Sequence, residues 1–247
     1  MCHNEKGDKM ENKKRIEKVV EYYVLCNSLK DVVRTGWKNW NIQRERVESI
    51  AEHIYGVQML AIAMWSEFEY SIDLKKVLTM LAVHETEEIF IGDLTPFEIT
   101  KEEKAKLGHL QVQKMFSKIL DNEELINLIF EFDERKTPEA IFAFQCDKLE
   151  CDLQCKLYDE QNCVDLSKQD DNSIFINKDV KALLNKGLSW SQMWIEYGRN
   201  RNKYDENFCA VSDYILNNNI KNMGNDEKEH RIKITGVCDG EFVEIKF

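Results

Sequence analysis

Apolar residues recur along most of this chain at spacings of three and four, the period of a helix with one buried face. Ile16, Val19, Val20, Tyr23 and Val24 set the first such stripe, over residues 13–29. Further helices are expected from about Val47 to Phe68 and from Asp73, a suitable N-cap, through Glu88. The pattern resumes over 101–119, 123–134 and 138–158, then over 178–186, 189–200 and 205–219. Between these lie segments that break the period. LKDVVRTGWKNWNIQRE is irregular and reads as an ordered loop, and IGDLTPFEIT is interrupted by Gly92 and Pro96. CVDLSKQDDNSIF, over 163–175, is polar and reads as the edge of the main domain. Only at the end does the period change to two: RIKITGVCDGEFVEIKF alternates around Asp239-Gly240, the signature of a β-hairpin. The prediction is an all-α fold with a short C-terminal hairpin appendage. It divides into a mobile polar leader (1–12), a helical core (13–162), additional helices packed on that core (163–227) and the hairpin (228–247).

Composition fits this picture. Two prolines and ten glycines in 247 residues leave room for long helices, and 43% hydrophobic with 32% charged residues suits a folded soluble chain. A net charge of −11 argues against nucleic acid or an anionic membrane as partner. It still allows a small anionic substrate, because a local metal or arginine reverses the potential within one pocket. The polar start and the absence of a long apolar run predict neither a signal peptide nor a spanning helix, hence a cytoplasmic protein. Eight cysteines without a CxxC pair fit reduced, buried thiols in that compartment. Trp190, Trp194 and Tyr197 fit core packing, with a substrate-lining or dimer-interface role as the alternative.

Three predicted helices carry a metal-ligand type on the face that should be core. The stripes are Ile50, His53, Val57, Leu60, Met64; then Val77, Leu81, His84, Glu88; then Ala140, Phe144, Asp147, Cys151. A buried imidazole or carboxylate is costly unless partnered. Spacing alone leaves two accounts open, hydrogen-bonded core groups or a shared divalent cation.

The local sequence adds a resemblance. RVESIAEH, LAVHETEEIFIGDLTP and CDKLE, in this order, resemble the HD-domain superfamily of metal-dependent phosphohydrolases. VVRTGW followed by NIQRERVESIAEHIYGVQMLA is similar to its YfbR-like 5′-deoxynucleotidase branch. The resemblance covers about residues 25–160. It implies an HD-domain helical bundle that binds one divalent cation (Mn, Co, Zn, Fe, Ni or Mg) through His53, His84, Glu85 and Asp147. It further implies that Glu88 and Asp93 orient or deprotonate the attacking water. Arg34 would meet the substrate phosphate and Trp37 the sugar or base. The implied reaction is hydrolysis of the 5′-phosphate of a (deoxy)nucleoside monophosphate, by a chain that self-associates as a homodimer. Glu85 departs from the family pattern, which has aspartate there. That departure favours one rival, a non-catalytic nucleotide-binding protein; the other keeps the metal and changes the substrate, to a nucleoside triphosphate or a hyperphosphorylated guanine nucleotide. HETEE also approaches the zincin HExxH pattern, but position 88 is Glu rather than His, so that motif is incomplete.

Overall fold

The computed structural model describes residues 4–95, 97–120, 122–225, 236–238 and 241–243. Its first element is α1 (Asn4–Asn27), followed by a 3₁₀ turn at Ser28–Lys30. Residues 4–12, expected as a polar leader, are therefore helical. The Trp-rich segment expected as loop contains a short helix, α2 (Thr35–Asn39), and a bridge between Val33 and Ser49. Ser49 then starts α3 (Ile50–Phe68) with a capping box: its hydroxyl accepts from Glu52 N, and the Glu52 carboxylate accepts from Ser49 N.

Asp73 caps α4 (Leu74–Val83), accepting from Lys75 N and Lys76 N. The helix expected to run on to Glu88 stops at Val83. The Thr86 hydroxyl takes the Val83 carbonyl at 2.5 Å, which the next helical turn would have used. Thr86 N and Glu88 N bond three residues back instead of four, to Val83 O and Glu85 O. A tight turn over His84–Glu87 results, followed by α5 (Glu88–Ile91). On a continued helix, neighbours 84 and 85 would diverge by about 100°; the turn lets both face inward.

Next come α6 (Lys101–Lys118), α7 (Glu123–Glu134) and α8 (Pro138–Glu160), capped by Thr100, Asn122 and Thr137 respectively. Then follow α9 (Lys178–Leu184), α10 (Trp190–Asn202) and α11 (Glu206–Asn217). Helix α8 is the central strut. Its Ala140, Phe142, Ala143, Cys146 and Leu149 enter a core with Val57 and Ala61 of α3, Met80 and Leu81 of α4, and Phe208 of α11. Its Cys155 and Tyr158 enter a second core built from Trp37, Trp40, Ile174, Val180 and Trp190. A third, smaller core joins Val112 and Phe116 of α6 to Ile129 of α7.

The segment 163–175, expected as a polar domain edge, is instead packed into that second core. Cys163 and Ile174 are buried there, and Gln169 Nε2 donates to Trp40 O at 3.1 Å. Trp190 is likewise fully buried, as core packing predicts. Cys146, Cys151, Cys155 and Cys163 are buried free thiols. Of the hairpin expected over 228–247, most residues lie outside those described, Asp239 and Gly240 of its turn included. The strands that are described, β1 (Gly236–Cys238) and β2 (Glu241–Val243), pair antiparallel with Val237 opposite Phe242. No helix among the described residues is long and apolar enough to cross a membrane.

Candidate metal centre

Three elements converge to make the site. α3 supplies His53, the turn after α4 supplies His84 and Glu85, and α8 supplies Asp147. One ligand-type atom from each of the four lies within 4.8 Å of the others, and all four residues are buried. His53 Nε2 stands 3.1 Å from Asp147 Oδ1 and 3.8 Å from Glu85 Oε1, while His84 Nε2 stands 3.7 Å from that same Glu85 oxygen.

The donor set fits a divalent cation, and His84 carries the test. Its Nδ1 lies 2.7 Å from Leu81 O, and a carbonyl only accepts, so Nδ1 bears the proton. Nε2 is then a bare lone pair, buried and without a hydrogen-bond partner, beside a carboxylate. Two acceptors facing each other in a dry interior repel unless a cation lies between them. Two imidazoles with two carboxylates suit a borderline divalent metal.

The charges around the set keep its two carboxylates ionised and its two imidazoles unlike. Burial works against ionisation of Asp147, yet Lys148 Nζ at 2.8 Å and His53 hold its carboxyl well below the usual range. Burial also opposes the Glu85 carboxylate, but His84, Lys104 and Arg34 outweigh it and bring the pKa down to about 2. His53 is pulled up to about 9: burial and Arg34 oppose its charge, but Glu150 and Asp147, each within hydrogen-bond distance, prevail. Burial lowers the His84 imidazole.

Arg34 immediately precedes α2, placed by its backbone N–H on Glu48 O. Its Nη1 reaches Glu85 Oε1 at 3.3 Å and its Nη2 reaches Cys151 Sγ at 3.2 Å. Asp93 accepts from Thr35 N at 2.6 Å, so it ties the loop after α5 to the start of α2. Glu88 opens α5, buried, with Oε1 receiving Lys104 Nζ at 2.7 Å and Oε2 unpartnered. Burial and the nearby Glu85 push the Glu88 carboxyl well above the usual range, with Lys104 pulling against them. Of the three, Arg34 touches the four-residue cluster directly, through Glu85, while Glu88 and Asp93 lie close enough for their charges to act on Arg34.

Trp37, expected against sugar or base, lies elsewhere. It is 2% exposed, its indole N–H donates to Glu48 Oε2 at 2.6 Å, and its ring packs on Tyr158, Trp190 and Trp194. α2 starts at Thr35, directly after Arg34, and Trp37 within it turns into the second core. Several neighbours were not singled out from the sequence. Glu150 accepts from His53 Nδ1 at 2.6 Å, Lys104 holds Glu88, and Lys148 holds Asp147. Glu150 had one legible signal, its place one helical turn after Asp147.

An all-helical core with this His/His/acid cluster at its centre is the architecture of the HD domain. The chain matches the HD domain family over residues 26–186, and it belongs to that family. Among proteins similar to it, the 5′-deoxynucleotidase HDDC2 of Dictyostelium discoideum is 32% identical over 150 residues, 58% of this chain and 78% of that protein. The human 5′-deoxynucleotidase HDDC2 is 29% identical over 146 residues, 58% of this chain and 69% of its own length. Among solved structures, the PH0347 protein of Pyrococcus horikoshii OT3 is 25% identical with a TM-score of 0.55, covering 81% of this chain and 98% of that one. The fold also matches a predicted metal-dependent phosphohydrolase from Magnetospirillum magnetotacticum MS-1, at 17% identity and a TM-score of 0.57, over 82% of this chain and 94% of that one.

Proposed function

We propose that this chain removes the 5′-phosphate of nucleoside monophosphates, deoxy ones in particular. The observation that carries the reading is the convergence of His53, His84, Glu85 and Asp147, with Arg34 against Glu85, in a chain whose relatives are named 5′-deoxynucleotidases. One divalent cation bound by those four side chains would supply Lewis acidity, lowering the pKa of an attacking water and offsetting charge on the phosphoryl oxygens.

The remaining work falls to the chain's own residues. Glu88, which Lys104 holds by Oε1, accepts the water's proton at Oε2, the oxygen that Lys104 leaves free. Asp93 keeps Arg34 and α2 in register with α5 through Thr35 N. Arg34 receives the phosphate with its planar fork. The water oxygen joins phosphorus, the ester P–O bond breaks, and the 5′-oxygen leaves as nucleoside with the proton that Glu88 took from the water.

The protein works in the cytosol as a homodimer in this reading. Buried free thiols support the compartment. A run over 54–66 without Asp, Glu, Lys, Arg or His, which leaves Tyr55, Met59, Ile62 and Trp65 of α3 exposed, supports the dimer. Light scattering of the purified chain at twice the monomer mass is the expected result.

The deciding experiment is product analysis across nucleotides and divalent cations. Inorganic phosphate and nucleoside from a deoxynucleoside monophosphate are expected. Triphosphate released from a nucleoside triphosphate, or pyrophosphate from a hyperphosphorylated guanine nucleotide, would move the assignment to the corresponding rival. Nucleotide bound with no product under any cation would make this a non-catalytic binder.

A further inference from the structure

We propose that Glu150 is the positioning residue of His53, and that position 56 is glycine because Glu150 must reach past it. The inference rests on the reading of His53 as a metal ligand. It starts from a pairing of two helical turns. On α3, His53 and Gly56 are three apart; on α8, Asp147 and Glu150 are three apart. Residues at that spacing share a helix face, so the two turns oppose each other as a block.

Within the block the two carboxylates divide the imidazole between them. Asp147 Oδ1 stands 3.1 Å from Nε2, the nitrogen that faces the ligand cluster. Glu150 Oε2 stands 2.6 Å from Nδ1, on the far side of the ring. A carboxylate offers no proton, so Nδ1 donates to Glu150, and Nε2, which faces Asp147 and the cluster, is the nitrogen whose proton a cation would replace. A ring clamped from behind this way loses its freedom to flip and becomes a stronger donor in front.

Gly56 makes the clamp possible. A Cβ at that position would lie 2.6 Å from Glu150 Oε1 and 3.2 Å from both its Cγ and Cδ. Oε1 is the tip of the side chain, but that carboxylate is buried and its other oxygen holds His53 Nδ1, so it yields to a Cβ only by disturbing that contact. Glycine inside a helix is destabilising relative to alanine, so its presence in the middle of α3 needs a local reason. The apolar stripe around it, Val57, Ala61 and Met64, gives none, since it points into the core. The Glu150 carboxylate lying across the Gly56 backbone does. His84 is held differently, by the Leu81 carbonyl at 2.7 Å, so the two histidines are oriented by unlike devices and respond to different substitutions.

The test is a Mn²⁺ competition titration against a fluorescent chelator on the full chain, with circular dichroism as the folding control. Glu150→Gln keeps the size but weakens the acceptor, Glu150→Ala removes it, and Gly56→Ala displaces it. The expected result is a loss of Mn²⁺ affinity of about 10-fold for Glu150→Gln and nearer 100-fold for Glu150→Ala. Gly56→Ala should fall in the same range. In the Gly56→Ala/Glu150→Ala double variant the losses should not add, because the glycine matters only through the glutamate. Folded Glu150 variants that bind Mn²⁺ like the wild type would overturn the proposal, as would fully additive losses in the double variant. If Glu150→Ala fails to fold, Glu150→Gln and Gly56→Ala decide the matter alone. Failure of the underlying metal reading shows separately, as wild type and His84→Ala binding Mn²⁺ equally or not at all.

Discussion

Arg34 Nη1 lies 3.3 Å from Glu85 Oε1, so the guanidinium proposed to meet a phosphate is held by a carboxylate of the buried cluster. The pair joins two elements 51 residues apart in sequence, and Glu85, a methylene longer than aspartate, spans the distance. Arg34 also contacts Cys151 Sγ, which fixes the plane of its fork. Lysine at this position keeps the charge but not the two-pronged geometry. Arg34→Lys is therefore expected to raise KM for a deoxynucleoside monophosphate and to lower kcat/KM about 10- to 100-fold, the worth of one charge-assisted hydrogen bond. Steady-state kinetics checks it, with Mn²⁺ content expected to stay at the wild-type level. Unchanged KM would remove Arg34 from the phosphate site.

The bare Nε2 of His84 makes a prediction about stability rather than rate. A cation that binds only the folded chain stabilises it, by about 2.7 kcal/mol at a hundred times its Kd. For a chain of this size that is a rise in Tm of about 5–10 °C. Added Mn²⁺ or Co²⁺ should raise the wild-type Tm by that amount and leave His84→Ala unmoved. An equal rise in both proteins would mean that the cation binds elsewhere.

Three members of the buried cluster, His53, His84 and Asp147, were legible because polar groups interrupt apolar stripes, whereas Glu85 came from the resemblance alone. His53 sits between Ile50 and Val57, and Asp147 between Ala143 and Cys151, all buried. The helical order was legible from period and caps. The stop after Val83 was not, because Val77, Leu81, His84 and Glu88 keep a helical rhythm that a single Thr86 hydroxyl overrides. Nor was the role of Glu150, since α8 also carries Asp152, Asp159 and Glu160, and only the partner helix tells them apart. Lys104 reaches Glu88 across 16 residues and an intervening loop, a pairing no local pattern encodes. Trp37 was assigned to the substrate by the resemblance alone, whereas here Trp37, Trp40 and Trp190 form a core of their own.

That core gives Trp37 a different role to test. Its N–H is the hydrogen bond the structure gives the buried Glu48 Oε2, at 2.6 Å. Trp37→Phe keeps the ring packing but strands that oxygen, at a cost of about 1–3 kcal/mol. Tm should fall by several degrees while KM for the nucleotide stays near the wild-type value. The opposite outcome, a raised KM with unchanged Tm, would return Trp37 to the substrate.

Asp152 predicts how stability varies with pH. It lies on α8, almost fully buried, with Oδ2 accepting from Tyr204 at 2.8 Å. Burial pushes its carboxyl up to about 7, with hydrogen bonds from Tyr204 and Trp194 and the charges of Lys148 and Arg199 opposing. In the unfolded chain the group titrates near its ordinary value, about 4. Between those two pH values the folded state holds a proton that the unfolded state has lost. The contribution to stability is therefore complete below about pH 4, declines as pH rises, and is gone above about pH 7. A difference of about three units corresponds to up to about 4 kcal/mol. Asp152→Asn keeps an oxygen for Tyr204 and removes the titration. Relative to wild type it should gain stability steadily from pH 4 to pH 7 and level off beyond, as read from urea unfolding at each pH. Parallel curves for the two proteins would show that Asp152 is ionised throughout, with Lys148 and Arg199 outweighing its burial.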